Sequence, residues 1–288
     1  MKKIPPVNAL SIDVEDYFHV SAFELAIHRN NWEDYSGRVA QNTERILKIL
    51  GENGIYATFF ILGWVGRRYP KIVKTIKSLG HEIATHGYNH ELITKQTPGL
   101  FKKDLKESID VLQDITGDKI LGYRAPSFSV TPKTLWSIDI MIELGLKYDS
   151  SVFPIMHDYG GYPGAPLIPY KIKNDFWEFP LSTYKLLGVN IPVAGGGYFR
   201  LFPYGLTRYL LKEKNKQGLP FIFYIHPWEL DNGQPRIKEA SFISRFRQYQ
   251  NLDKAEFRFK KLCGDFKFAP VKDVLETWAS PKDQQYGA

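Results

Sequence analysis

The stretch Val7-Asn8-Ala9-Leu10-Ser11-Ile12-Asp13-Val14-Glu15-Asp16 carries the decisive pattern. Residues 7–12 read as one short buried strand, and the chain turns acidic where that strand ends. The pattern then recurs. Residues 38–53 predict a helix, with Val39, Ile46, Leu47, Ile49 and Leu50 as its apolar stripe and Gly54 as its stop. Residues 55–62 read as a second buried strand. Residues 70–79 predict a helix opened by Pro70 and closed by Gly80. Further strands are expected at 81–85, 119–123 and 147–149, separated by helices at 98–115 and 131–144. Residues 151–200 break the rhythm, being crowded with Gly, Pro and Tyr, and read as a long loop region. A helix at 203–216, a buried strand at 220–225, a helix pair within 241–263 and a last helix at 271–278 follow.

Strands separated by helices of this length require parallel pairing, so the fold class is α/β. The simplest architecture is a single barrel-like domain over residues 1–278, with a polar, fraying tail at 279–288. No repeat, low-complexity segment or linker divides the chain.

Composition bounds the rest. Of 288 residues, 43% are hydrophobic and 24% charged, which supplies a real core and excludes a disordered chain. Aromatics reach 15%, enough for a heavy core or a carbohydrate-handling surface. The one cysteine, Cys263, excludes an intrachain disulfide and a cysteine-built zinc site. The net charge is +7, but the basic residues are spread along the chain, so no nucleic-acid partner is expected. No window approaches the roughly 18 apolar residues of a membrane span. Met1-Lys2-Lys3-Ile4-Pro5-Pro6 is not followed by the apolar run of about 7–15 residues that a signal peptide needs, so a cytoplasmic protein is expected.

In parallel α/β folds the reactive face lies at the C-terminal ends of the strands. The chemically useful residues collect there. The first strand ends in Asp13, Glu15 and Asp16, and the third in His86 and His90. The fourth ends in Arg124-Ala125-Pro126, the fifth in Asp149-Ser150-Ser151, and the late strand in His226-Pro227-Trp228. If a helical turn begins at His86, its imidazole and that of His90 share a face and can meet one cation. Two histidines, a carboxylate and an open position for water form the pattern of a hydrolytic metal site. Taken singly, each residue has a plainer explanation: a solvated acidic loop, a packed histidine, a surface ion pair. Their gathering at one end of the sheet weakens all of these together.

The ordered set Ser11-Ile12-Asp13-Val14-Glu15-Asp16, His86-x3-His90, Arg124-Ala125-Pro126, Asp149-x-Ser151 and Tyr224-Ile225-His226-Pro227 resembles the NodB-homology polysaccharide deacetylases, carbohydrate esterase family 4. The resemblance runs over residues 7–230. The stretches Asp13-Val14-Glu15-Asp16-Tyr17-Phe18-His19-Val20 and Gly195-Gly196-Gly197-Tyr198-Phe199-Arg200 resemble more narrowly the branch found beside bacterial exopolysaccharide and exosortase gene clusters. The resemblance implies a distorted (β/α) barrel with about seven parallel strands. It also implies a divalent metal ion, zinc, and removal of N-acetyl groups from the amino sugars of an oligo- or polysaccharide.

Carried over residue by residue, Asp13 would be the general base and Arg124 the guanidinium that holds and polarises it. His86 and His90 would bind the metal. His226 would be the general acid, with Asp149 pairing with it and favouring its protonated form. A backbone N–H after Pro126, that of Ser127, would help stabilise the oxyanion and so bind substrate. The first motif departs from the family form, because Val14 stands where a second aspartate is usual. The carboxylate ligand is then Glu15, which shares Asp13's face if the strand continues, or Asp16 if the chain bends. The fourth motif lacks the usual tryptophan, with Phe153 nearby. The triple glycine reads either as a turn or as a place where a sugar chain passes close to the backbone, and Trp177, Tyr184 and Tyr198 as possible sugar-stacking faces. Two other readings remain open: a hydrolase of small amides or cyclic ureides on the same fold, and a catalytically inactive glycan-binding protein.

Overall fold

The computed structural model describes residues 5–280. The tail expected at 279–288 lies outside the described residues from 281 onward. Strand β1 (Asn8–Val14) is buried along its whole length. Then come α1 (Val39–Glu52), β2 (Thr58–Ile61), α2 (Gly63–Arg68), α3 (Pro70–Ser78), β3 (Glu82–Thr85) and α4 (Pro98–Thr116). The chain continues through β4 (Gly122–Tyr123), α5 (Trp136–Glu143) and β5 (Tyr148–Asp149). Two hairpins follow, β6 (Tyr170–Lys173) with β7 (Phe176–Glu178) and β8 (Thr183–Leu186) with β9 (Val189–Pro192). The remaining elements are α6 (Gly196–Leu201), α7 (Tyr204–Lys216), β10 (Ile222–Ile225), α8 (Phe242–Tyr249), α9 (Leu252–Asp265), β11 (Phe268–Ala269) and α10 (Val271–Ala279).

The main sheet runs β10-β1-β2-β3-β4-β5-β7-β6, and β11 also pairs with β1. Seven strands of that path, β10 through β7, are parallel, and β6 closes one edge antiparallel. The two ends of the path do not pair with each other, so the sheet is a curled half-barrel rather than a closed cylinder. The α/β class and the parallel count agree with the sequence-based expectation.

Local chemistry explains the elements. α1 turns Val39, Ile46, Leu47, Ile49 and Leu50 inward against β1 and β2, each large aliphatic side chain contributing roughly 1.5–3 kcal/mol of burial. The Thr97 hydroxyl accepts the Leu100 N–H at the start of α4, and left-handed Gly117 ends that helix. The helix expected at 131–144 begins only at Trp136, because Thr134 turns its hydroxyl back to the Thr131 N–H and holds the intervening residues in a turn. The expected loop at 151–200 holds both hairpins and α6. Each hairpin turns through two residues, Asn174-Asp175 and Leu187-Gly188, with Asn174, Leu187 and Gly188 at positive φ.

Among the described residues, no helix is long and apolar enough to cross a membrane.

Candidate active site

Parallel strands deliver their C-terminal residues to one end of the sheet, and the predicted site residues meet there. Asp13 and Arg124 are shut from solvent. Arg124 Nη1 donates to Asp13 Oδ1 and to Ser11 Oγ, both at 2.7 Å. Its Nε and Nη2 donate to the Ser150 carbonyl and hydroxyl at 2.9 and 2.8 Å. The guanidinium is thus tied to β1 and to the end of β5, and one oxygen of Asp13 is fixed while the other faces His226 Nε2 at 3.9 Å.

Glu15, not Asp16, joins the histidines. β1 ends at Val14, where the Glu15 N–H folds back onto the Asp13 carbonyl. One donor atom each from Glu15, His86 and His90 lies within 4.8 Å of the others. Asp16 points away and caps a helix: its carboxylate accepts the backbone N–H groups of Arg38, Val39 and Tyr17. With those N–H groups on it, Asp16 stands outside the cluster of Glu15, His86 and His90, and the geometry favours the alternative that named Glu15.

The His-x3-His pair is not on a helical turn. Residues 86–90 form a loop in which Gly87 and His90 both have positive φ, 75° and 51°. Asp104 on α4 pins the loop by accepting the N–H groups of Tyr88 and Asn89 and the Asn89 side-chain amide. His86 donates its Nδ1–H to the Arg124 carbonyl at 2.8 Å, which leaves Nε2 with a free lone pair. Burial pulls the His86 imidazole down to about 4, so it is neutral, as a ligand must be.

The donor set fits a divalent cation. Glu15 Oε2 is buried and meets no hydrogen-bond donor among the described residues. His90 Nε2 stands 2.7 Å from it. A buried carboxylate converging with two imidazoles is a donor set that suits a divalent cation.

His226 closes the site from β10. Its Nε2 lies 3.5 Å from Glu15 Oε1, and its ring stacks on Trp228 with centroids 5.0 Å apart. Trp228 donates its indole N–H to Glu15 at 3.2 Å. The partner of His226 is Glu229, not Asp149. His226 Nδ1 sits 2.7 Å from Glu229 Oε1, and Arg200 Nε donates to Glu229 Oε2 at 2.7 Å. Burial alone would lower the His226 imidazole, but Glu15 and then Glu229 outweigh it and push it up to about 9. The Glu229 carboxyl is buried, yet Arg200 and His226 hold it below the usual range.

Asp149 does other work. The Ser151 hydroxyl donates to it and in turn accepts the Ala125 N–H at 2.7 Å. Asp149 therefore steadies the Arg124-Ala125-Pro126-Ser127 segment. Burial pushes its carboxyl up to about 6, and burial together with Asp149 drives the neighbouring Glu178 well above its ordinary range. Ser127 lines the cavity with φ 49°, and among the described residues its N–H meets no acceptor.

Sequence reasoning missed Glu229, Arg200, Asp104 and Trp228. Glu229 left a local signal: it stands three residues after His226 with Pro227 between, and the two form a capping box at the 3-10 turn Pro227–Leu230; Arg200 and Trp228 stood in quoted motifs without a role. The triple glycine has a packing reason. A Cβ on Gly195 would come 2.2 Å from the Tyr224 carbonyl oxygen, and one on Gly196 would strike the Tyr224 ring. Of the three aromatics considered for sugar stacking, Tyr198 lines the cavity, whereas Trp177 and Tyr184 do not.

Residues 31–148 match the family model described as polysaccharide deacetylase, and residues 150–276 match one described as a domain of unknown function (DUF3473). The chain is similar to the peptidoglycan deacetylase-like protein FGM2 of Gibberella zeae, 36% identical over 173 residues, or 56% of this chain and 49% of that protein. It spans about half the length of the curated relatives it matches. Its fold is similar to that of peptidoglycan deacetylase PdaC from Bacillus subtilis, with a TM-score of 0.53 at 14% identity, over 98% of this chain and 95% of that one. It is similar also to Puue allantoinase, with a TM-score of 0.61 at 13% identity, over 96% and 91% of the two chains. At such identities the two structures speak to the fold alone.

Proposed function

For a chain that belongs to the polysaccharide deacetylases, the NodB-homology carbohydrate esterases of family 4, we propose hydrolysis of an N-acetyl group on a hexosamine within a bacterial exopolysaccharide or its precursor. One observation carries the reading: an arginine-clamped aspartate and a glutamate-backed histidine face each other across two imidazoles and a carboxylate. The likeness of residues 13–20 and 195–200 to the exopolysaccharide branch supports the choice of glycan.

Glu15, His86 and His90 would hold a divalent cation, zinc by the imidazole and carboxylate donors of the set, which would supply Lewis acidity toward water and the amide carbonyl. Asp13, with one oxygen fixed by Arg124, takes the proton of the attacking water. His226 gives its Nε2 proton to the departing nitrogen, so the amide C–N bond breaks to acetate and a free amine. Glu229 keeps that imidazole protonated and turned toward the site. The unengaged Ser127 N–H is available to the oxyanion.

The test is acetate release from a panel of N-acetylated oligosaccharides and small ureides, with metal added or chelated. We expect metal-dependent release from the oligosaccharides and one bound cation per chain by calorimetry, lost in Glu15→Ala and kept in Asp16→Ala. Turnover of ureides alone, or equal metal retention by both variants, would overturn the assignment.

A further inference from the structure

The cavity above Asp13 and His226 measures about 680 Å³, far more than an acetamido group fills. Its lining has two characters. The strand ends supply the polar groups already described. Helix α8 supplies Phe242, Ile243 and Phe246, which are 75%, 61% and 54% exposed, and Met156, 77% exposed, joins them from the 154–160 segment.

These residues are exposed for a structural reason. Positions 242, 243 and 246 share one face of α8. The opposite side of the helix is the anchored one. Gln248 is buried with its amide on Gln234, and Arg200 donates to the carbonyls of Arg247 and Gln248. α8 is therefore held by Gln248 and its last carbonyls, with Phe242, Ile243 and Phe246 left exposed along the cavity beside the polar Ser244, Arg247 and Gln250, the reverse of a surface helix that buries its apolar face. Although the Arg247–Asp158 ion pair joins α8 to the 154–160 segment, several large apolar side chains left in water along one cavity mark a binding surface.

We propose that this wall binds an apolar aglycone, a hydrocarbon chain joined to the sugar that carries the N-acetyl group. The proposal rests on the deacetylase reading and narrows its substrate to an amphiphilic glycan. A free polysaccharide would bring hydroxyls to every wall, and those on Phe242, Ile243 and Phe246 would lose water without gaining partners. A membrane surface would call for apolar side chains on a convex rim. These line a concavity whose lining also carries Asp13 and His226, so a single molecule reaches both.

The probes are methyl, butyl and octyl β-glycosides of N-acetylglucosamine, each below its micellar threshold. Each buried methylene is worth roughly fourfold in binding, so burying even two carbons raises kcat/KM more than about tenfold from methyl to octyl. The combined Phe242→Ser, Ile243→Ser and Phe246→Ser variant should bring the octyl-to-methyl ratio close to one. Calorimetric binding of the octyl glycoside to Asp13→Asn protein, with and without the three α8 substitutions, gives a readout apart from turnover. Octyl binding that is lost with the α8 substitutions, but without acetate release from any glycoside, would sink the deacetylase reading and leave the apolar site standing. A flat chain-length series in the unsubstituted protein, no octyl binding, or binding only to phosphatidylglycerol vesicles would overturn the proposal.

Discussion

At the scale of the residue, the pairing of His226 decides the acid half of the reaction. On the proposed mechanism the imidazole must carry its proton when the amine departs, so activity should fall as pH rises through its pKa. Glu15 and Glu229 both raise that pKa against the pull of burial. A cation on Glu15 offsets the first of these charges and leaves Glu229 as the lasting support. Glu229→Gln should therefore move the basic limb of the kcat profile to lower pH, by about 1–2 units, with the acidic limb unmoved. His226→Ala should instead lower kcat by about 10²–10⁴ below that pKa and remove the basic limb, the gap to the unsubstituted protein narrowing at higher pH. A basic limb that stays in place in Glu229→Gln would return the pairing role to another group. Asp149, which the family pattern puts in that role, lies on Ser151 and should leave the basic limb alone when replaced by Asn.

At the scale of the element, α4 holds the loop that carries both imidazoles. Asp104 accepts three donors from Tyr88 and Asn89. Asp104→Ala should weaken metal affinity by about 10–100-fold, as loss of an outer hydrogen-bonding partner does, while leaving Glu15, His86 and His90 in place. Titration against a competing chelator measures it, and unchanged affinity would show that the loop holds its shape without α4. The same loop shows how far the sequence was legible. The His-x3-His spacing, the acidic end of β1 and the positions of Arg124 and His226 were all readable, because strand ends can be found from hydrophobic runs. The route that brings His90 round to His86 was not, because a left-handed histidine leaves no mark in composition. Glu229 was legible only as a capping spacing. Its ion pair with Arg200 joins residues from two separate elements, and no local pattern reports that. The hairpin turns at 174–175 and 187–188 were hidden within a stretch whose Gly and Pro content suggested loop.

At the scale of the molecule, the two matched family segments meet at residues 148 and 150, in the middle of β5. That strand pairs with β4 on one side and β7 on the other. β1 lies between β2 and β10, and so joins the earlier segment to the later one again. Asp13, Glu15, His86 and His90 come before the junction, and Arg200, His226 and Glu229 after it. We expect residues 1–278 to unfold as one unit, with far-ultraviolet dichroism and tryptophan fluorescence giving coincident transitions in denaturant. Two separated transitions, or a soluble folded fragment ending at 148, would divide the domain.

The place of β1 in the sheet also sets a timetable. Its partner β10 follows it by roughly 200 residues, as the register of Ala9 with Ile222 shows. At about 5–20 residues per second, a ribosome delivers that partner roughly 10–40 s after β1 has emerged. For that interval a strand bearing Leu10, Ile12 and Val14 has one neighbour to come early, β2, and an open edge on its other side. Until β10 follows, the nascent chain therefore carries an unpaired apolar edge, the kind of template on which chains associate wrongly. The cluster that gathers Asp13 with His226 stays unassembled until residue 226 has left the tunnel, so the proposed chemistry is absent while the chain is most exposed.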